Sequence, residues 1–419
     1  MEPSTKPILG PGSGFRLSKS WIVILTCILI LGTAISPFIL EGQMNGLVVI
    51  LGFLAIPGLM LLRLPPIGDI FWAALSLTYL LIAVLAYGEL ERLTSVGYTI
   101  MLTSIYLVFS GALSTYRVTP ERFRKVLEVL IKAYAMVSLV QMLASLAGIP
   151  VPNEILSKGL WSYNSLAVEP SHAARILAIS MLAYIVLVYI EHGKTLTFSI
   201  IWHMEKSVII AFLISISLTG SALGVAAIFT VLLLLLRPLW RVVILLAIIV
   251  VWPVLLSVEV ESIRRLMSFI SVLPTMNIDR ISAADHSGAI RVMPLILYVE
   301  QAHLDSLSTW FGGGFSSIAS YVQGRMIGVK ADSAMAGFVP GYIMVTGILG
   351  CLIFLYAFIF RFLNKETSTL VVLWVLLIAT AAWNSQVFWF GIIILRAVYH
   401  YSEKARKSVP VTSSSKLIS

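Results

Sequence analysis

Two stretches of the chain concentrate the side chains that could do chemistry. The first reads Trp161-Ser-Tyr163-Asn-Ser-Leu-Ala-Val-Glu169-Pro-Ser-His172-Ala-Ala-Arg175. A proline near a first turn and a serine as cap mark Glu169-Pro170-Ser171 as a helix start. His172 and Arg175, three residues apart, then share one face of that helix close to its end. The plain alternative is an interfacial cap with a snorkelling arginine. The second stretch runs from about Glu259 to Phe338 and carries Arg264, Arg265, Arg280, Arg291, Arg325 and Lys330. Within it, Pro274–Ala284 reads as loop, and Asp285-His286-Ser287-Gly-Ala-Ile-Arg291 leads into a helix. Met293–Trp310 has apolar residues at helical spacing, with Glu300, His303 and Asp305 between them. That is the pattern of an amphipathic helix on a surface or capping a bundle. Gly312-Gly313-Gly314, flanked by Phe311 and Phe315, is a hinge where backbone can approach a ligand closely. No Lys-Ser/Thr follows it, so a phosphate loop has little support. Guanidinium groups fork onto phosphates and diphosphates. Trp161, Tyr163, Trp310 and Tyr321 could stack on sugars or simply form an interfacial belt. Together these residues describe a headgroup-level site for an amphipathic, phosphate-bearing substrate, with structural salt bridges as the competing explanation for each charge.

The elements that must position them are membrane helices. The 419 residues are 59% hydrophobic and only 12% charged, where a soluble chain carries about 25% charged residues; the mean hydropathy is +0.97. Apolar blocks recur at the length that crosses a hydrocarbon core, about 20 residues. Helices satisfy their own backbone in lipid, so the expected class is all-α and polytopic. Hydropathy gives twelve spans: 21–40, 44–62, 70–87, 96–114, 126–147, 173–190, 207–219, 221–236, 240–258, 339–360, 369–383 and 386–401. The polar break at Leu218-Thr-Gly-Ser221 leaves residues 207–236 open to one span or two. Lys and Arg in short loops prefer the cytoplasm, and only the two-span alternative keeps Arg237, Arg241, Arg361, Lys365 and the basic C-terminal tail on the side of Arg117, Arg122, Arg124 and Lys125. Residues 1–20 and 402–419 become cytoplasmic tails, and 21–258 the first nine spans. Segment 148–171 and the loop 259–338 then share the outer face, and 339–401 holds the last three spans. The net charge of +9 is thus mainly an orientation signal, with attraction to anionic lipid as a by-product and no call for nucleic acid. Met1–Lys19 is polar and no small-residue cleavage site follows the first apolar run, so that run is expected to act as an uncleaved insertion signal. Cys27 and Cys351 sit in apolar runs and offer neither a disulfide framework nor a metal site.

About twelve spans, a Glu-Pro-Ser element opening a middle helix and a long outer loop near the C-terminus resemble the superfamily of O-antigen polymerases (Wzy) and O-antigen ligases. Leu218-Thr-Gly-Ser-Ala-Leu-Gly224 is similar to that family's Thr-x-Ser-Arg-Gly break, although Ala222 stands where the arginine is usual. Asp285-x-Ser-Gly-x-x-Arg291, then Gly312-Gly-Gly-Phe315, then Thr346-Gly-Ile-Leu-Gly350 follow the family's order, so the resemblance covers about 160 to 360. The ligase's His-Asn pair before the last of these is missing; Asp332-Ser333 is the nearest polar group, which favours the polymerase branch.

The resemblance implies a helical glycosyltransferase of the GT-C type in the bacterial inner membrane, active on the periplasmic face, with both termini cytoplasmic. It would move a growing glycan from undecaprenyl diphosphate to the sugar of a new lipid-linked repeat unit, without cofactor or metal and in company with membrane lipid and a chain-length regulator. Arginines would stabilise the diphosphate leaving group, with Arg280 and Arg291 first, then Arg175, Arg264 and Arg265, and Arg325 as a further contact. An acceptor hydroxyl needs a base or an orienting acceptor. Glu169 leads, followed by His172, Asp285, His286 and Asp332. A ligase shares fold and donor. A lipid-linked glycan flippase is the alternative of another class, but it would show charged mid-span positions and a repeated half, and the sequence has few of the first and none of the second.

Overall fold

A computed structural model of the chain describes residues 19–36, 39–40, 44–61, 64–115, 118–151, 162–192, 198–235, 242–243, 246–247, 261–322 and 337–408. Their regular structure is helical apart from one two-residue antiparallel pair, β1 (Ile39–Leu40) with β2 (Met44–Asn45). The first eight helices are α1 (Lys19–Ala34), α2 (Gly46–Leu61), α3 (Ile67–Ala86), α4 (Leu93–Ser114), α5 (Pro120–Leu146), α6 (Pro170–His192), α7 (Phe198–Leu218) and α8 (Ala222–Leu235). By length and composition alone, five segments among the described residues are long and apolar enough to cross a membrane: 67–86, 90–114, 120–146, 170–192 and 338–362. The expected span 240–258 lies outside the described residues except at 242–243 and 246–247, which are helical.

Local chemistry sets the helix starts. Thr119 accepts a hydrogen bond from the backbone N–H of Arg122 (3.3 Å) with Pro120 at the first position of α5, which satisfies one of the four orphan donors of a helix start. Burial then sorts the helices. α6 is almost wholly inside, packed by α5, α7, α8 and the last helix, whereas α3 turns Phe71, Ile82 and Leu85 outward. Helices apolar on every side suit either a core or lipid, and this bundle contains both kinds.

The remaining elements depart from the expected spans. α14 (Phe338–Phe358) is not one rod. Phe338 and Phe354 have ring centroids 4.9 Å apart, and so do Tyr342 and Phe354. In a straight helix residues 338 and 354 would be separated by about 24 Å of rise. The chain folds back at Gly347, whose φ of 71° lies in the left-handed region. α15 (Ser368–Leu373) runs on as a π turn through Ile378, and after a break the chain returns as α16 (Gln386–Ser408). Trp374 packs on Phe388 and Asn364 bonds Ser402 (2.8 Å), so these legs form a hairpin. Its tip meets the start of α14, where Phe338 N–H donates to Ala381 O (2.8 Å). The expected spans 339–360 and 369–383 are therefore a folded helix and a short leg.

The segment between α8 and α14 builds its own small core. α9 (Glu261–Val272), α10 (Ile278–Ala284) and α11 (His286–Gln301) enclose Ile281, Met293 and Leu297 with Phe269 and Val272 against them. Pro274–Ala284, expected as loop, is mostly helix because Asn277 caps α10 by accepting from Arg280 N–H (3.0 Å). The expected helix 293–310 ends at Gln301; α12 (Leu307–Phe311) and α13 (Ser316–Val322) are separate short turns.

Candidate functional site

Ion networks identify one end of the bundle. Asp69, in the first turn of α3, is fully buried and takes Arg361, Arg396 Nε (3.1 Å) and the Ser110 hydroxyl. Arg124 of α5 meets Glu191 of α6 (3.0 Å), Glu205 of α7 (2.8 Å) and the Tyr184 hydroxyl (3.0 Å). The Tyr401 hydroxyl donates to Val118 O (3.2 Å), tying α16 to the α4–α5 turn between the two networks. This is the base end. The ends of α3 and α7, the C-terminal part of α5 and the start of α6 therefore lie at the opposite, loop end.

At the loop end the segment 162–169 folds into the protein. Tyr163 N–H donates to Leu218 O (2.9 Å) at the α7–α8 break, and Ser165 N–H to Gln141 Oε1 of α5 (2.8 Å). The Ser165 hydroxyl reaches Tyr134 O (2.7 Å), and Ser36 N–H donates to Leu166 O (2.9 Å). Irregular backbone is tolerated at membrane depth only inside protein or along a polar cavity, and these bonds meet that condition. The segment delivers Glu169, whose carbonyl accepts from His172 N–H (3.0 Å) and Ala173 N–H (3.1 Å). Glu169 is thus the cap of α6. Ser171, expected in that role, turns its hydroxyl to Glu169 Oε1 (2.6 Å) instead. His172 Nε2 stands 3.2 Å from the same oxygen. Arg175 does not reach outward beside them. It is buried, donating from Nε to Leu377 O (2.9 Å) and from Nη2 to the Thr380 hydroxyl (2.9 Å), so it satisfies the carbonyl left open where the π turn ends.

The Gly312–Gly314 loop approaches a backbone rather than standing open as a hinge. Gly313 N–H donates to Met344 O (2.9 Å) and Gly314 N–H to Val345 O (3.3 Å), satisfying the final carbonyls of the first half of α14. A Cβ on Gly312 would run into Val345 O, and one on Gly347 into Trp310 O. The α3–α4 connection fixes the same loop from the other side. The Tyr87 hydroxyl donates to Gly312 O (2.6 Å), and buried Glu89 accepts from Phe315 and Ser316 N–H (2.6 Å each) at the start of α13.

A second group lies on the α9–α11 cluster. Arg265 Nη2 stands 2.6 Å from Asp285 Oδ1. These two, with Arg264, Ser268 and Ser282, line a cleft of about 490 Å³. Arg280 is exposed on α10 and does not line it. His286 and Arg291 lie on the first two turns of α11. Arg325 and Asp332 fall outside the described residues, as does Trp161. The expected site residues thus divide into a Glu169–His172 pair, an Arg264–Arg265–Asp285 cleft, and a buried Arg175 bound to backbone. Among the described residues no three His, Cys, Asp or Glu side chains gather as metal ligands.

Two clusters were not expected from the sequence. Mid-span positions were expected to be almost bare of charge; Arg396 falls within the expected span 386–401 and Glu128, paired with Lys132 (2.5 Å), within 126–147, whereas Asp69 and Glu205 lie just outside the expected spans and join the networks of the base. No protein-family model, no curated protein and no solved structure matches this chain.

Proposed function

We propose that this chain is a membrane glycosyltransferase of the GT-C type that polymerises a lipid-linked glycan, with the loop end facing the periplasm. The observation that carries the proposal is the cleft of about 490 Å³ lined by Arg264, Arg265, Ser268 and Ser282 together with Asp285. Its size falls within the range of small-ligand sites, roughly 300–1,000 Å³, and its guanidinium groups and hydroxyls are donors suited to a diphosphate. Orientation has its own support. Arg122, Arg124, Lys125, Arg361, Lys365, Lys404, Arg406 and Lys407 belong to the turns and helix ends of the base, and basic residues in short connections favour the cytoplasm.

In this mechanism the donor's lipid diphosphate sits against Arg264 and Arg265. The acceptor sugar hydroxyl attacks the anomeric carbon as the carbon–oxygen bond to the diphosphate breaks. The arginines stabilise the charge that builds on the departing phosphate oxygens. Glu169, in a separate group from the cleft, is assigned the hydroxyl proton on the condition that the bound substrate spans both groups, and His172, 3.2 Å from its Oε1, holds the carboxylate in place. Arg175 contributes through the fold by fixing the tip of the last hairpin. Arg280, outside the cleft lining, and Arg291, in α11, stay as contacts to the glycan or diphosphate.

A transporter is favoured by a different observation, the combination of buried charge at Asp69 and Arg396 with a helix broken at Gly347. One experiment separates the two. Purified protein in proteoliposomes receives undecaprenyl-diphosphate-linked repeat units from the host. A ladder of longer glycans with release of undecaprenyl diphosphate is the expected outcome. Movement of the repeat unit across the bilayer without elongation would replace the polymerase with the transporter.

A further inference from the structure

The turn from Leu304 to Phe311 is polar by position and apolar by surface. It belongs to the outer segment 259–338, and Leu304 is 71% exposed, Leu307 75% and Phe311 54%. Val299, near the end of α11, is 68% exposed. Leu307 and Phe311 are four apart on α12 and share a face. The turn is not slack: the Trp310 indole N–H donates to Leu304 O (2.8 Å), so the ring's only polar group is satisfied within the turn. His303, Asp305 and Ser308 edge the patch as exposed polar residues.

The position of the patch says what covers it. The residue after Phe311 is pinned to the end of α3 by the Tyr87–Gly312 bond. The last turns of α3 present Ile82 and Leu85 outward, and Leu90 and Leu93 continue that apolar band around the α3–α4 connection. α3 is long and apolar enough to cross a membrane, so its outward residues are those that meet lipid. The patch on the turn continues this surface at the level where α3 ends, which is where hydrocarbon gives way to headgroups.

We propose that residues 304–311 form an interfacial anchor, with Leu304, Leu307 and Phe311 inserted at the headgroup–acyl boundary of the leaflet on the loop-end side. The partner is the lipid surface itself, recognised by apolar burial with the polar edge left in water. The anchor sets the depth of the Gly312–Gly314 loop and, through its bonds to Met344 O and Val345 O, the depth of the apex of α14. The proposal is independent of any glycosyl transfer.

The test uses the full chain in liposomes with single spin labels at Leu307→Cys, Phe311→Cys and, as a control, Asp305→Cys, in a background where Cys27 and Cys351 are alanine. Labels at 307 and 311 are expected to collide more often with oxygen than with a water-soluble nickel chelate, and the label at 305 to show the reverse. These positions are exposed, so the substitutions leave the core untouched. Chelate-dominated collision at 307 and 311, matching 305, would overturn the anchor.

Discussion

Two clusters in this molecule have the same composition, two arginines around one aspartate, and opposite settings. At the base end, Asp69 is enclosed by Arg361, Arg396 and Ser110, and the Phe362 ring lies under both guanidinium groups (4.9 and 5.2 Å). On the α9–α11 cluster, Asp285 meets Arg265 while Arg264 lines the same open cleft, with the Arg265 side chain 37% exposed. Composition alone does not separate a lock from a binding site; access does. A buried pair is consumed by its own partners, and the cost of breaking it is large. An open pair with surplus positive charge retains donors that an anionic ligand can use.

The contrast fixes an order of expected effects. Asp69→Asn leaves two guanidinium groups without their carboxylate inside the bundle, and is expected to lower unfolding stability by about 3–5 kcal/mol. Thermal or denaturant unfolding in detergent measures it, and a near-neutral result would break the lock. Gly347→Ala comes next. The left-handed φ costs about 1–2 kcal/mol for an L side chain, and the collision with Trp310 O adds about 1–3 kcal/mol. Its expected signature is loss of stability together with exposure of the Gly312–Gly314 loop to protease. Asp285→Asn is the smallest, about 1 kcal/mol or less, as for an ion pair with one exposed partner. A loss as large as that of Asp69→Asn would mean that the two clusters are alike after all.

Much of the loop end was legible in the sequence, and most of the base was not. The Glu169-Pro170 helix start, the break at 218–221 and the glycine run at 312–314 announce themselves because their signals are local: a proline, a polar gap, three adjacent glycines. The amphipathic character of the second stretch was also visible, although the pattern could not show that Pro294 is accepted within α11 or that the helix stops at Gln301. The reversal at Gly347 was invisible because Thr346-Gly-Ile-Leu-Gly350 sits in an unbroken apolar run, and a single glycine there reads as a tolerated helix residue. What bends the chain is its contact with a loop some 35 residues away, through the Gly313 and Gly314 bonds. Asp69 pairs with Arg396 across 327 positions, and Glu89 holds Phe315 across 226. Hydropathy reads Arg396 as a lone charge near the end of a span and Glu89 as part of a connection. Their partners exist only in three dimensions.

The central claim is that the open arginine cleft carries the chemistry and the buried one does not. The double variant Arg264→Ala/Arg265→Ala tests it most directly in the proteoliposome elongation assay, with unfolding stability matched to the unsubstituted protein. Loss of transition-state donors of this kind costs about 100- to 1,000-fold in rate, so the glycan ladder is expected to fall by at least that much while the protein stays folded. A ladder of normal length and rate would contradict the account.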